Sequence, residues 1–220
     1  MNRVVVLLSI IMLAGCSGNV NKSCNNSALY GYVNICLPEI KGMTECRTNT
    51  NVQQIIAQYL TTGPVLGYYL NDETYSQIEK LSEITFDNYF MIYGDYQREN
   101  YRAVPTDLEV IEKNLEQTLF EGKNFEQISS KVEEAYGTIT AGQPALLEKY
   151  IPQSNVRTMI VLMKYKNEST ESSILSAINF ILLKNRVLNL AYYVSYNGGK
   201  SIDILKEKNN EVVAKLISAN

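Results

Sequence analysis

The sequence contains no histidine and no tryptophan. The missing histidine excludes the most. No Ser-His or Cys-His nucleophile pair can be assembled, and the usual general base near neutral pH is absent. The commonest zinc and non-haem iron ligand sets go with it. An enzyme built from this chain needs carboxylates, lysine, tyrosine or a cofactor. There is no EF-hand loop, P-loop or dinucleotide-binding fingerprint. Gly198-Gly199-Lys200-Ser201 has the outline of a phosphate loop, but Val194 stands where the earlier glycine belongs. No block of like charge occurs. The 20 basic and 23 acidic residues leave a net charge of −3, which argues against nucleic acid as a partner and against a polybasic grip on anionic lipid. After the first sixteen residues no apolar run approaches the roughly 20 residues of a membrane-spanning helix. Internal repeats and low-complexity segments are also missing.

What is present begins at the N-terminus. Arg3 precedes an apolar run from Val4 to Leu13, and small residues lead into Cys16. Charged start, short apolar segment and small-residue cleavage site are the layout of a secretory signal peptide. The run is too short for a membrane span, and Ser9 interrupts it. The ending Leu13-Ala14-Gly15-Cys16 resembles the lipobox of bacterial lipoproteins. The resemblance implies removal of residues 1–15, a diacylglycerol on the Cys16 thiol and, usually, acylation of its new amino group. Loss of Arg3 makes the mature chain one unit more acidic. Ser17, where aspartate would signal retention in many enteric-like bacteria, implies an outer-membrane position facing the periplasm if the host is a diderm.

Residues 16–27 are polar and small and read as a tether. The domain is expected over 28–220. With Cys16 lipidated, Cys24, Cys36 and Cys46 remain. An oxidising compartment favours a disulfide. Cys36 and Cys46 flank the turn containing Pro38 and Gly42 and are the expected pair; Cys24 is left to bond with either or to stay free. No metal site or cofactor is expected.

Apolar residues make 45% of the sequence, enough for a core in one good-sized domain. Periodicity predicts strands at Tyr30–Leu37, Val65–Leu70, Phe86–Tyr93, Ala145–Ile151 and Val156–Tyr165, the last expected to be central. Two more, within Ile178–Tyr196, are expected to form a hairpin across Lys184-Asn185-Arg186. Helices are predicted over Asn51–Leu60, after an Asn71 cap, from a Thr106/Glu109 capping box, across Phe125–Ala135, and from Ser201 to the end. The last helix would bury Ile202, Leu205, Val212, Val213 and Leu216, with Asn209-Asn210 weakening its middle. Short connections between late strands require antiparallel pairing. The expected fold class is α+β: one domain, a mostly antiparallel sheet with helices packed on it.

Gly142-Gln143-Pro144-Ala145 before a strand, the Ile178–Tyr196 hairpin and the C-terminal helix together resemble the PsbP/Mog1 fold group in their order. Members of that group mostly bind or assist other proteins, so the resemblance implies a non-catalytic role.

Two constellations are candidates for a site. Tyr93, Tyr96 and Tyr101 lie in or beside the Gly94–Pro105 loop, interleaved with Arg98 and Arg102. Tyrosine and arginine are enriched at interface hot spots, and loops carry function, so this loop is the candidate partner-binding element. The plainer reading has the tyrosines sealing the core edge and the arginines pairing with Asp95 and Glu99. Asp72, Glu73 and Asp87 are the candidate acid/base carboxylates of a glycosidase-like site; Asp72 and Glu73 are better explained as first-turn helix charges, and Asp87 has no partner that the sequence predicts. No catalytic residue is assigned.

The sequence therefore predicts an envelope protein, anchored to the membrane through lipid on Cys16, with a non-catalytic domain that binds a protein or assembly partner. The alternatives are a carboxylate-dependent hydrolase of cell-wall or extracellular glycans, and a small-ligand or lipid carrier. Cys16→Ser should leave the precursor unlipidated and move the chain from the detergent phase to the aqueous phase on phase partitioning; unchanged partitioning would contradict the lipid anchor.

Overall fold

A computed structural model describes residues 24–59, 63–80, 87–120, 140–166 and 171–220. The chain opens with a hairpin, β1 (Ser27–Tyr30) and β2 (Val33–Cys36), which forms a small sheet of its own. The main sheet has eight strands: β3 (Met43–Glu45), β4 (Val65–Asn71), β5 (Tyr89–Tyr93), β6 (Thr140–Ala141), β7 (Ala145–Tyr150), β8 (Val156–Lys166), β9 (Glu171–Leu183) and β10 (Arg186–Ser195). Its order is β3-β4-β5-β10-β9-β8-β6, with β7 also paired to β8. Every described pairing is antiparallel. The helices are α1 (Thr50–Tyr59), α2 (Asp72–Ser76), α3 (Pro105–Phe120) and α4 (Lys200–Ala219). The architecture is a single α+β domain with a mostly antiparallel sheet and helices packed on it.

Alternation along the strands sends successive side chains to opposite faces. Leu175, Ala177 and Ile181 of β9, Leu188, Leu190 and Tyr192 of β10, and Phe90 and Ile92 of β5 meet Leu205, Val212, Val213 and Leu216 of α4. The β1–β2 hairpin joins this layer through Ala28, Tyr30 and Ile35. On the opposite face α3 covers Met159, Val161 and Phe180 with Leu108. On that face too, Val52 of α1 covers Tyr68, Leu70, Tyr89 and Met91. Aromatic rings run across β4, β5 and β10 on both faces. Tyr69 stacks on Phe90 at 4.2 Å, and Phe90 meets Tyr192 edge-on at 6.2 Å. On the other side Tyr68 stacks on Tyr89 at 5.5 Å, and Tyr89 on Tyr193 at 4.8 Å. Cross-strand aromatic pairs of this kind hold register.

One polar cluster interrupts the apolar layer under α4. Thr158, Asn179 and Asn209 are fully buried. The Asn179 and Asn209 amides face each other, each donating to the other's oxygen, at 2.8 and 3.0 Å. Asn179 also accepts from the Thr158 hydroxyl at 2.7 Å and donates to the Leu190 carbonyl at 2.9 Å. Asn209 donates to the Tyr150 hydroxyl at 3.1 Å. Five elements (β7, β8, β9, β10 and α4) are thereby joined. Asn209 does not weaken the helix; it is the helix's buried polar contact with the sheet.

Several local expectations are corrected. Tyr30–Leu37 is not one strand, because Gly31 and Tyr32 both take positive φ (54° and 63°) and fold it into a hairpin. That backbone is the one two-residue hairpin turns require. Lys184 and Asn185, at 48° and 59°, make the equivalent turn between β9 and β10. The α3 cap lies earlier than Thr106. Pro105 is the first helical residue, where its missing N–H costs nothing, and Asp107 accepts the Val104 N–H at 2.7 Å. Glu109 instead pairs with Arg157 at 3.3 Å. Ser201 does not cap α4; Gly199 holds that position, and the Ser201 hydroxyl accepts the Asn197 N–H. Strand β8 sits between β9 and the β6/β7 edge, so the middle of the sheet is β5, β10 and β9. The helix expected over Phe125–Ala135 lies outside the described residues.

The cysteine pairing is also corrected. Cys24 is bonded to Cys36, and Cys46 is a free, buried thiol. The main sheet keeps Cys36 and Cys46 apart. Strand β2 packs on the α4 face, whereas Cys46 packs with Val52 and Tyr68 beneath α1. The Cys46 thiol donates to the Tyr68 carbonyl at 3.3 Å. Burial, with a further contribution from the Glu45 carboxylate, pushes its pKa up to about 12. Beside the disulfide, the Asn220 side chain accepts the Cys36 N–H at 2.8 Å and donates to the Cys36 carbonyl at 2.9 Å.

Asn179→Ala and Asn209→Ala should each cost about 2 kcal/mol, since either change strands a buried amide. The double variant should cost clearly less than the sum; additive losses in urea unfolding would show that the two side chains act separately. Non-reducing peptide mapping should link Cys24 to Cys36. Burial keeps the native Cys46 a neutral thiol at pH 8, so it should resist alkylation there and react once unfolded, because the thiolate is the nucleophile. Rapid native alkylation would contradict its burial.

Candidate functional site

Three turns meet at one end of the main sheet: Gly31-Tyr32, Lys184-Asn185, and the loop from Gly94 to Val104. Arg186, just after the β9–β10 turn, holds them together. Its guanidinium donates to the Gly31 carbonyl through Nε (3.2 Å) and Nη2 (2.7 Å), and through Nη1 to the carbonyls of Tyr101 and Asn185, both at 3.1 Å. Gly31 packs so closely on the Glu99 carbonyl and this guanidinium that a Cβ has no room. The Ala103 N–H donates to the Asn185 carbonyl at 3.0 Å.

The start of the loop is fixed by Tyr30, a core residue of β1. Its hydroxyl donates to the Asp95 carbonyl at 3.0 Å and accepts the Asp95 N–H at 2.9 Å. Burial raises the Tyr30 pKa, against the lowering effect of the Asp95 hydrogen bond. Asp95 Oδ1 accepts the Gln97 N–H, and turns close from Arg98 to Asp95 and from Tyr101 to Arg98. The loop therefore has a defined backbone made from its own bonds and from side chains of distant elements.

The sequence-predicted residues divide. Tyr93 is on β5, half-buried in the layer beneath α1, and burial pushes its hydroxyl up to about 12. It belongs to the core edge. Tyr96, Arg98, Tyr101 and Arg102 are on the loop. Tyr96 is 61% exposed and Tyr101 52% exposed, so neither seals the core. Arg98 meets Asp95 through Nε at 3.5 Å, a surface pair worth little in energy. The Tyr101 hydroxyl donates to Asp107 at 3.3 Å. Tyr32, Val104 and Val110 are also exposed at this end. Sequence reasoning missed Arg186 and Tyr32. The available signal was an arginine directly after a hairpin turn.

Between the loop and α3 lies a groove in two parts, with Arg98 bordering both. The first hollow, about 250 Å³, is walled by Tyr101, Ala103, Val110, Ile111 and Val187. The second, about 260 Å³, adds Asn114, Leu115, Phe180 and Asn189. Asp107 lines the first hollow and Asp95 the second, so the apolar walls carry charges of both signs beside Arg98.

The candidate acid/base carboxylates lie elsewhere and are engaged locally. Asp72 accepts from the Thr44 hydroxyl at 2.9 Å; Asp72 and Glu73 form the first turn of α2, capped by Asn71 onto the Thr74 N–H. Asp87 accepts the Ser195 N–H at 3.1 Å. Asp87 also borders an open hollow of about 550 Å³ whose lining mixes Lys41, Ser195 and Lys208 with Met43, Tyr192, Val194 and Ile204. Among the described residues no group of three or more metal-ligating side chains converges, and no helix is long and apolar enough to cross a membrane. Cys16 lies outside the described residues. No family model matches the chain, and no curated protein or solved structure matches it either.

Proposed function

We propose that this chain is a lipid-anchored envelope protein whose α+β domain binds a protein or assembly partner through the loop end of its sheet, without catalysing a reaction. The observation that carries this reading is the set of exposed side chains at this end: Tyr96, Tyr101 and Val104 on a loop whose backbone is held by Arg186 and Tyr30, with Tyr32 of the β1–β2 turn and Val110 of α3 beside them. Large amphipathic side chains on a fixed frame lose little entropy on association, which is what a binding surface needs. The lipobox-like Leu13-Ala14-Gly15-Cys16 supplies the anchor, and with Ser17 it supports an outer-membrane position facing the periplasm in a diderm host. The likeness to the PsbP/Mog1 group belongs to the same proposal. It draws support from β7 following Gly142-Gln143-Pro144, from the β9–β10 hairpin and from α4.

A photo-crosslinking side chain placed at Tyr96 or at Tyr101 in cells should capture one and the same envelope protein. The same probe at Glu73, on the distant helix α2, should not. Tyr96→Ala combined with Tyr101→Ala should cut recovery of that partner about tenfold with an unchanged melting curve, as expected when hot-spot side chains are removed. Recovery unaffected by the double change, or glycan hydrolysis abolished by Asp87→Asn, would overturn the reading.

A further inference from the structure

We infer that the outer side of the β1–β2 hairpin rests on the lipid bilayer that holds the anchor, with Leu29 and Tyr32 at the headgroup level; this rests on the lipid anchor at Cys16 proposed above.

The hairpin is where the tether enters the domain. Cys24 is bonded to Cys36 at the end of β2. Asn220 holds the Cys36 main chain through both its N–H and its carbonyl. The tether is therefore fastened at Cys24, before the first strand begins. Eight residue steps separate Cys16 from Cys24. They span about 28 Å fully extended and about 16 Å as a coil. The hairpin adds about 13 Å from Ser27 to Gly31. So short a leash keeps this hairpin beside the bilayer surface.

Its outer side has a composition that suits that place. Alternation along β1 buries Ala28 and Tyr30 and turns Leu29 outward, opposite Asn34. Leu29 is 68% exposed and Tyr32, in the turn, 87%; these are the highest exposures of any large apolar side chain among the described residues. No charged residue occurs from Cys24 to Pro38, so the approach to a headgroup layer strips no ionised group of the hairpin of its water. The neighbouring carboxylates are on other elements. Glu39 and Glu45 meet Asn25 and Asn26 at the end away from Tyr32, and Asp95 and Glu99 belong to the loop on which the tip packs. The cation beside this side is Lys184, which donates to the Asn34 carbonyl at 2.9 Å. Tyrosine favours the membrane–water boundary, with its ring in the apolar layer and its hydroxyl in water.

Two side chains alone do not hold a domain on a bilayer. Behind an anchor they meet a surface already at high effective concentration, and they set the orientation of the domain. Lipid then takes Tyr32, and Tyr96 and Tyr101 stand at the membrane margin, so the partner they meet is one at the same membrane surface.

The test uses the lipidated full chain in vesicles of phosphatidylcholine and phosphatidylglycerol. The chain has no tryptophan, so one introduced indole reports alone. Leu29→Trp and Tyr32→Trp should each shift emission to the blue on reconstitution and lose emission when the acyl chains carry bromine. Both effects should survive high salt, because apolar contact is not screened. Ile204→Trp, beside the other end of β10, should show neither effect although Ile204 is 62% exposed. Unquenched emission at position 29 or 32, with the chain still floating with the vesicles, overturns this inference alone. A blue shift that grows with chain density but is not quenched gives the face to a second copy of the chain and overturns it as well. A chain that does not float with the vesicles overturns the anchor reading and this inference together.

Discussion

The reciprocal amide pair between Asn179 and Asn209 is the constraint on which the arrangement of layers depends. Apolar packing alone lets a helix slide or rotate on a sheet at small cost, because Leu, Ile and Val tolerate rearrangement. Two buried amides do not tolerate it. Displacing α4 by one turn leaves the Asn179 and Asn209 side chains without partners in an apolar layer, at a cost of several bonds at once. Thr158 and Tyr150 extend the same requirement to β8 and β7. The pair therefore selects one register for α4, much as a single buried asparagine does in a coiled coil.

The remainder of the design follows from a sheet covered on both faces. Aromatic rows across β4, β5 and β10 give its centre a fixed register, and β5 then delivers the chain into the Gly94–Val104 loop from a rigid base. At that point the structure stops depending on hydrophobic burial and turns to hydrogen bonds to main-chain carbonyls. Arg186 and Tyr30 do the holding, and neither belongs to the loop. The tyrosines of the loop are consequently left for solvent and for whatever meets them.

Much of this was legible in the residues, for definite physical reasons. Strands β4, β7, β8, β9 and β10 show branched and aromatic runs bounded by turn residues, and Asn71 is a cap by chemistry alone. The failures have reasons too. The β1–β2 turn is Gly31-Tyr32, and tyrosine with positive φ is no sequence signal for a hairpin. A period-based reading treats Asn209 as a defect because its partner is thirty residues away on another element. Pro105 outcompetes Thr106 for the start of α3 because its fixed φ is already helical. Tyr93 shares its letter with Tyr96 and Tyr101 but belongs to a strand, a distinction that only burial makes. The role of Arg186 could not be read, although its place after a hairpin turn could, because its targets, the carbonyls of Gly31 and Tyr101, have no side-chain signature.

The contacts of the first hairpin have a temporal side. Cys36 is bound by Asn220, 184 residues later; Gly31 by Arg186, 155 residues later; and Asn34 by Lys184, 150 residues later. In folding, each of these contacts carries the loop-closure cost of a long intervening chain, so the final seating of β1 and β2 depends on closing nearly the whole chain.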